Sequence, residues 1–161
     1  MSSRPHGNHL PHGYKLHWYR IESVLGQGGF GITYLAHDTH LDKAVAIKEY
    51  LPVELAARET DSTVRPFTED RRDQYTWGLT RFIEEARTLA NFDHPNIVRV
   101  HSVFEANATA YMVMTHEVGE SLADLAKFAR LKGEEPCWQW TQSGGVSRFG
   151  TVATHFVAKG C

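Results

Sequence analysis

Apolar residues recur along this chain with two different periods. β-Branched and aromatic residues cluster in short stretches at 19–25, 32–36 and 44–47, and these predict three strands. Leu79, Phe82, Ile83, Ala86 and Ala90 fall at helical spacing, which predicts an amphipathic helix over about 77–91. Stretches 97–104 and 109–115 predict two more strands, and 120–130 predicts a second helix. The order of three strands, helix, two strands and helix indicates an α+β domain.

Three segments lack a sustained period. Residues 1–16 are polar and rich in His, Pro and Gly, and they predict a flexible N-terminal arm. Residues 49–76 are densely charged and predict a surface insertion with a short helix near 53–58. Residues 131–161 show no pattern that assigns them to a fold. We therefore expect one domain over 17–130, flanked by an arm and an unassigned tail.

Composition excludes several function classes. A net charge of −2 without a basic stripe argues against a nucleic-acid partner. His6, His9 and His12 lack the Cys or carboxylate that would complete a metal site, so no metal ligand is predicted. Two cysteines are too few for a disulfide framework, which fits a reducing compartment. With no apolar run of transmembrane length and no signal peptide, we expect a cytoplasmic protein without a membrane partner.

The glycines Gly26, Gly28 and Gly31 have the spacing of a phosphate-binding loop. A dinucleotide-binding loop would open a helix, but strand-forming residues follow Gly31, so this loop is predicted at a hairpin tip. The other common phosphate loop needs Gly-Lys-Ser/Thr, which does not occur here. Glycines let backbone N–H groups approach phosphate oxygens closely. The alternative is a glycine-rich turn with no ligand, which would be preferred if Lys48 did not follow.

Lys48 ends a predicted apolar strand, where a lysine needs a partner. Glu85 lies three residues after Phe82 and four before Leu89, so it flanks the apolar side of the predicted helix and can point inward. Glu84 points further outward. The alternative role for Glu85 is an exposed pair with Arg81, worth under about 1 kcal/mol.

Together, Leu25-Gly26-Gln27-Gly28-Gly29-Phe30-Gly31, Val45-Ala46-Ile47-Lys48, Glu85 and His94-Pro95-Asn96-Ile97-Val98 resemble the N-terminal lobe of protein kinases. Within that family, residues 28–36 and 48–52 are most similar to bacterial serine/threonine kinases. The resemblance runs from about 18 to 130. It implies a kinase-like N-lobe, with a five-stranded antiparallel sheet and one main helix, cut off before the C-lobe.

The resemblance also implies ATP as the cofactor, accompanied by Mg in an intact kinase. Lys48 would contact the α- and β-phosphates and pair with Glu85. Met114 would lie at the back of the adenine pocket, and backbone groups of Thr115 and Glu117 would bind the base. The implied ATP-binding residues are Leu25, Gly26, Gly28, Gly31, Thr33, Ala46, Lys48, Glu85, Met114, Thr115 and Glu117. The apolar members fit a plain core equally well.

The chain lacks the second half of the kinase pattern. The last aspartate here is Asp124, and a kinase needs two aspartates beyond that point, one near the accepting hydroxyl and one to hold magnesium. We therefore predict no catalytic residue and no turnover from this polypeptide alone. One explanation is a reading frame that shifts near 127–132. The other is a short non-catalytic module that senses nucleotide or binds a protein partner. The first is preferred.

Overall fold

The computed structural model describes residues 7–95 and 97–118. The elements in these ranges are β1 (Lys15–Leu16), β2 (Tyr19–Gly28), β3 (Gly31–Asp38), β4 (Lys43–Tyr50), β5 (Ala56–Arg58), β6 (Val64–Pro66), α1 (Glu69–Ala90), β7 (Val100–Ala106) and β8 (Thr109–Thr115). Six strands form an antiparallel sheet in the order β1-β2-β3-β4-β8-β7, which packs with α1, and β5 and β6 form a separate pair. The predicted α+β class is confirmed. The predicted helix at 120–130 and the tail lie outside the described residues.

The six-stranded sheet has two distinct faces. Directly paired residues of antiparallel strands share a face, and Lys48 pairs with Thr33 on one side and Met112 on the other. We call the side of the sheet that carries these three side chains the helix face. Tyr50 lies on the same side of β4, and its ring packs against Phe82 of α1. The residues of the helix face are Thr33, Leu35, Ala46, Lys48, Tyr50, Met112 and Met114. The opposite, outer face carries Ile32, Tyr34, Val45, Ile47, Glu49, Tyr111 and Val113, all of them buried.

Helix α1 packs on the sheet through a narrow apolar stripe, mainly against β7 and β8. Tyr75, Phe82 and Ala86 are buried, and acidic Glu69 and Asp70 in the first turn favour the positive end of the helix dipole. The helix begins at Glu69, well before the predicted start at 77. The sequence does not indicate this earlier start, because residues 69–74 are exposed and show no apolar period. Within the described ranges, no helix combines the length and apolar character needed to cross a membrane.

The predicted flexible arm is wrong for residues 7–16. Leu10 and Leu16 are each 2% exposed, and β1 adds a sixth strand beside β2. The backbone N–H of Leu10 donates to Tyr34 Oη at 3.0 Å. The two leucines are isolated among polar residues, so their burial comes from contact with the outer face and leaves no local period in the sequence.

The helix predicted at 53–58 is also wrong. After a turn at Pro52, β5 pairs with β6 in antiparallel register, with Ala56 opposite Pro66 and Arg58 opposite Val64. Arg58 anchors this pair to the sheet, since its Nη2 lies 2.5 Å from Glu49 Oε2. Pairing and the buried ion pair therefore decide the conformation here.

Glu49 is the centre of a polar network on the outer face. It is 0% exposed and accepts hydrogen bonds from Tyr34 Oη at 2.8 Å, Tyr111 Oη at 2.7 Å and Arg58 Nη2 at 2.5 Å. Arg58 Nε in turn donates to the Asn8 carbonyl at 2.9 Å. Burial, then the Glu49 carboxylate, raises the pKa of both tyrosines, so they remain protonated donors. Every charge in the network is paired, as burial requires.

Candidate functional site

The glycine-rich segment forms the tip of the β2–β3 hairpin, as predicted. Gly28 pairs with Gly31, and Gly26 pairs with Thr33. A bulge between Val24 and Gly26 takes Leu25 out of the regular pairing. The tip side chain of Phe30 is 55% exposed, so in the described part of the chain this hairpin presents an open surface.

The glycines of the hairpin differ in whether the fold has room for a larger side chain. A Cβ on Gly31 would overlap the Glu49 carbonyl oxygen and lie 3.1 Å from its carbon, so close packing against β4 requires glycine there. Around Gly26 and Gly28, by contrast, a Cβ would meet nothing within 4 Å, and neither residue has a positive φ. Neither steric contact nor backbone conformation within the described chain therefore calls for glycine at Gly26 and Gly28.

Lys48 and Glu85 face each other between β4 and α1. Lys48 lies on the helix face between Thr33 and Met112. Glu85 is half-buried on α1, whereas Glu84 is exposed and accepts a hydrogen bond from Arg81 at 3.0 Å. The helical spacing of the sequence predicts this inward and outward arrangement, and the structure agrees with it.

The two charges are desolvated and act on each other. Burial lowers the pKa of Lys48, and the Glu85 carboxylate counteracts part of that shift. Burial raises the pKa of Glu85, and the Lys48 ammonium again opposes it. They form no direct ion pair within 4.0 Å, and among the described residues the ammonium donates no hydrogen bond. Its three donors are therefore free to bind an anion between the hairpin and α1.

Three of the remaining predicted site residues, Thr33, Ala46 and Met114, lie along the same face. Thr33 pairs with Lys48, and Ala46 pairs with Met114, so these four side chains are neighbours on the helix face. The backbone N–H of Thr115 donates to the Arg99 carbonyl at 2.9 Å. Glu117 lies two residues past the end of β8, at the start of a second compact unit.

A separate cavity of about 340 Å³ lies near the ends of β3 and β4 farthest from the glycine hairpin. Trp18, Asp38, Lys43 and Ser102 are among the residues that line it. It contains none of the predicted site residues, and it is therefore not part of the candidate site.

Comparison with known proteins identifies the family. The family model described as "Protein kinase domain" matches residues 19–143. The chain belongs to the protein kinase family. The match extends past the boundary predicted at 130, and it confirms the resemblance drawn from the glycine loop, Lys48 and Glu85.

Curated kinase relatives match the same part of the chain. Serine/threonine-protein kinase PknJ of Mycobacterium tuberculosis is 33% identical over 113 residues, which are 70% of this chain and 16% of that kinase. Serine/threonine-protein kinase PrkC of Bacillus subtilis is 31% identical over 106 residues, which are 66% of this chain and 14% of that kinase. This kinase chain thus spans a small fraction of the length of these relatives.

Solved structures agree on the fold. The structure described as "PpkA-294 apo form" is 40% identical, with a TM-score of 0.76 over 80% of this chain and 46% of that one. The PknI kinase domain of Mycobacterium tuberculosis, at 19% identity and a TM-score of 0.54, shows the fold alone. The predicted kinase-like N-lobe is confirmed, with one strand more than the five predicted because β1 joins the sheet.

Proposed function

We propose that the helix face and the glycine hairpin bind ATP together with Mg, as the nucleotide-binding lobe of a serine/threonine protein kinase. The observation that carries this proposal is the desolvated Lys48, which faces Glu85 and donates no hydrogen bond to any of the residues that the structure describes. The fold gives no reason for a free, desolvated ammonium at this place, whereas a phosphate would use it directly.

The neighbouring residues supply the other contacts that ATP needs. A Cβ on Gly26 or Gly28 would meet nothing within 4 Å, so a phosphate can approach the backbone of the hairpin closely there. Leu25, Thr33, Ala46 and Met114 offer an apolar surface for the adenine ring. Because the N–H of Thr115 already binds Arg99, the group that it offers the base is its carbonyl.

We further propose that these residues hold the nucleotide without transferring its phosphoryl group. Phosphoryl transfer relies on positioned carboxylates for the accepting hydroxyl and for magnesium. The 161 residues contain no aspartate after Asp124, so a complementary lobe has to supply those groups. Without that lobe the affinity for ATP is expected near the millimolar level, or about −4 kcal/mol.

The test is an NMR titration of the 161-residue chain with Mg-ATP, a method suited to millimolar affinities. Lys48→Met should weaken binding about 10-fold or more, in line with the loss of a charge-assisted contact to phosphate. The variant should stay folded, because burial already disfavours the charged form of Lys48. Lys43→Met, on the exposed start of the same strand, is the matched control and should bind ATP as the parent does.

Equal ATP affinity in the parent and Lys48→Met would refute the assigned site. A chain that transfers phosphate from ATP to protein serine by itself would refute the second part of the proposal.

A further inference from the structure

Helix α1 contains a glycine at a place where helix propensity disfavours one. Gly78 lies in the interior of a 22-residue helix, and glycine is the least favourable helix residue apart from proline. A Cβ on Gly78 would overlap Tyr50 Oη and lie 3.0 Å from its Cζ. The missing side chain therefore makes room for one particular tyrosine.

The Tyr50 side chain packs against α1 at this glycine, between two aromatic residues of the helix. Its ring lies 5.3 Å from the Tyr75 ring and 5.7 Å from the Phe82 ring. It is 6% exposed, and its hydroxyl donates to the Tyr75 carbonyl at 3.4 Å. The side chain of Thr109 also donates to the Tyr50 carbonyl. Ring, hydroxyl and backbone are thus all held in one position.

The same strand and the same helix carry the two charges of the candidate site. Tyr50 follows Lys48 by two residues, so both side chains lie on the helix face, about 7 Å apart along β4. Glu85 follows Gly78 by seven residues, or about two turns, so both lie on nearly the same side of α1, about 10 Å apart. A close contact between Tyr50 and Gly78 therefore sets the local spacing of α1 and β4, beside the packing of α1 on β7 and β8.

We propose that Tyr50 and Gly78 are positioning residues. Their contact sets the separation of Lys48 and Glu85, and this separation determines the affinity for nucleotide. The inference rests on the function proposed above for Lys48 and Glu85. A larger residue at position 78 would push α1 away from β4 and carry Glu85 with it. Neither Tyr50 nor Gly78 touches the nucleotide in this proposal.

The first test is ATP affinity in Gly78→Ala, Tyr50→Phe and the double variant. Gly78→Ala should weaken binding by up to the roughly 10-fold expected of Lys48→Met, because a displaced Glu85 no longer orients the Lys48 ammonium toward phosphate. Tyr50→Phe removes the overlapping oxygen and leaves Cζ at 3.0 Å, so it should bind ATP nearly as the parent does and should restore most of the binding in the double variant. Helix propensity alone predicts the opposite, since alanine favours the helix.

The second test needs no nucleotide. The Lys48 ¹³Cε resonance is recorded with and without Glu85→Gln. The change in its chemical shift reports the electrostatic interaction between the two side chains. The response to Glu85→Gln should be clear in the parent, reduced in Gly78→Ala and recovered in the background that also carries Tyr50→Phe. A change of global stability alone would not restore this response through the loss of one hydroxyl.

If Gly78→Ala does not fold, Tyr50→Leu replaces it, because leucine keeps an apolar residue but removes the ring that spans Gly78. Tyr19→Leu is the matched control, with a tyrosine 5% exposed in β2 and away from α1. Tyr50→Leu should weaken ATP binding and reduce the Lys48 response, and Tyr19→Leu should do neither.

The outcomes separate the two proposals. If Lys48→Met leaves the ATP affinity unchanged, the proposed function is overturned. The Lys48 resonance then still tests the Tyr50/Gly78 contact, because that measurement needs no nucleotide. An unchanged Lys48 response in Gly78→Ala, or no recovery in the double variant, overturns the positioning role even if Lys48 binds ATP.

Discussion

Lys48 and Glu49 are consecutive residues of β4, and their side chains lie on opposite faces of the sheet. Lys48 faces Glu85 on the helix face, while Glu49 is fully buried on the outer face in contact with Arg58 and two tyrosines. The strand that presents the proposed phosphate ligand is therefore held from behind by a buried ionic network.

The ion pair between Arg58 and Glu49 should dominate the stability of the outer face. Arg58→Met leaves the Glu49 carboxylate buried without its counter-charge, so the free energy of unfolding should fall by about 3–5 kcal/mol. Urea denaturation followed by circular dichroism measures it. Arg81→Met, which removes an exposed pair with Glu84, is the control and should cost about 0–1 kcal/mol. Equal losses in the two variants would contradict a structural role for the network.

The N-terminal segment should contribute to stability as core does. Leu10 is 2% exposed, so Leu10→Ala should lower the free energy of unfolding by about 2–5 kcal/mol. Leu41 is 65% exposed, and Leu41→Ala should change it by about 0.5 kcal/mol or less. The same denaturation experiment compares them. A Leu10→Ala variant as stable as Leu41→Ala would restore the flexible arm that the sequence predicts.

Local periodicity accounts for what the sequence predicts correctly. Strands β2 to β4, β7, β8 and the second half of α1 bury regular apolar faces, and Lys48 and Glu85 stand out as charges beside those faces. The rest depends on contacts between distant residues. Arg58 is buried by Glu49, and Leu10 is buried by the outer face, but neither lies in a segment whose apolar residues follow a strand or helix period. Residues 55–57 are good helix formers, and pairing with β6 overrides that preference.

Protonation of Glu85 should favour the folded state. Burial raises its pKa above the usual value of 4.5, and Lys48 offsets only part of the rise. The folded state then binds this proton more tightly than the unfolded state, so the free energy of unfolding falls as pH increases from about 4.5 through the raised pKa. Glu85→Gln imitates the protonated form, and it should therefore stabilise the protein at neutral pH by about 1 kcal/mol or less.

The pH dependence provides the check for Glu85. Thermal unfolding of Glu85→Gln and the parent should differ at pH 7 and converge below pH 4.5. Glu84→Gln, at the exposed neighbouring position, should show no gain at either pH. A gain that persists unchanged in acid would exclude the proton-linked explanation.

The glycines of the hairpin should separate folding from binding. Gly31→Ala introduces a Cβ against the Glu49 carbonyl, so it should lower the free energy of unfolding by about 1–3 kcal/mol, as overpacking does. Gly28→Ala meets open space and should leave thermal unfolding nearly unchanged while it weakens ATP binding. Differential scanning fluorimetry and the NMR titration together measure both effects. A destabilised Gly28→Ala with normal ATP affinity would reverse the assignment.

The difference between Gly31, which the fold requires, and Gly26 and Gly28, which it does not, has an evolutionary consequence. A descendant that stopped using nucleotide would be released from selection at Gly26 and Gly28, where larger side chains fit the fold. It would still keep Gly31, because the approach of β3 to the β4 backbone demands it. Among diverged kinase-like chains with this hairpin, retention of the third glycine alone would therefore mark the survival of the scaffold after the loss of its ligand.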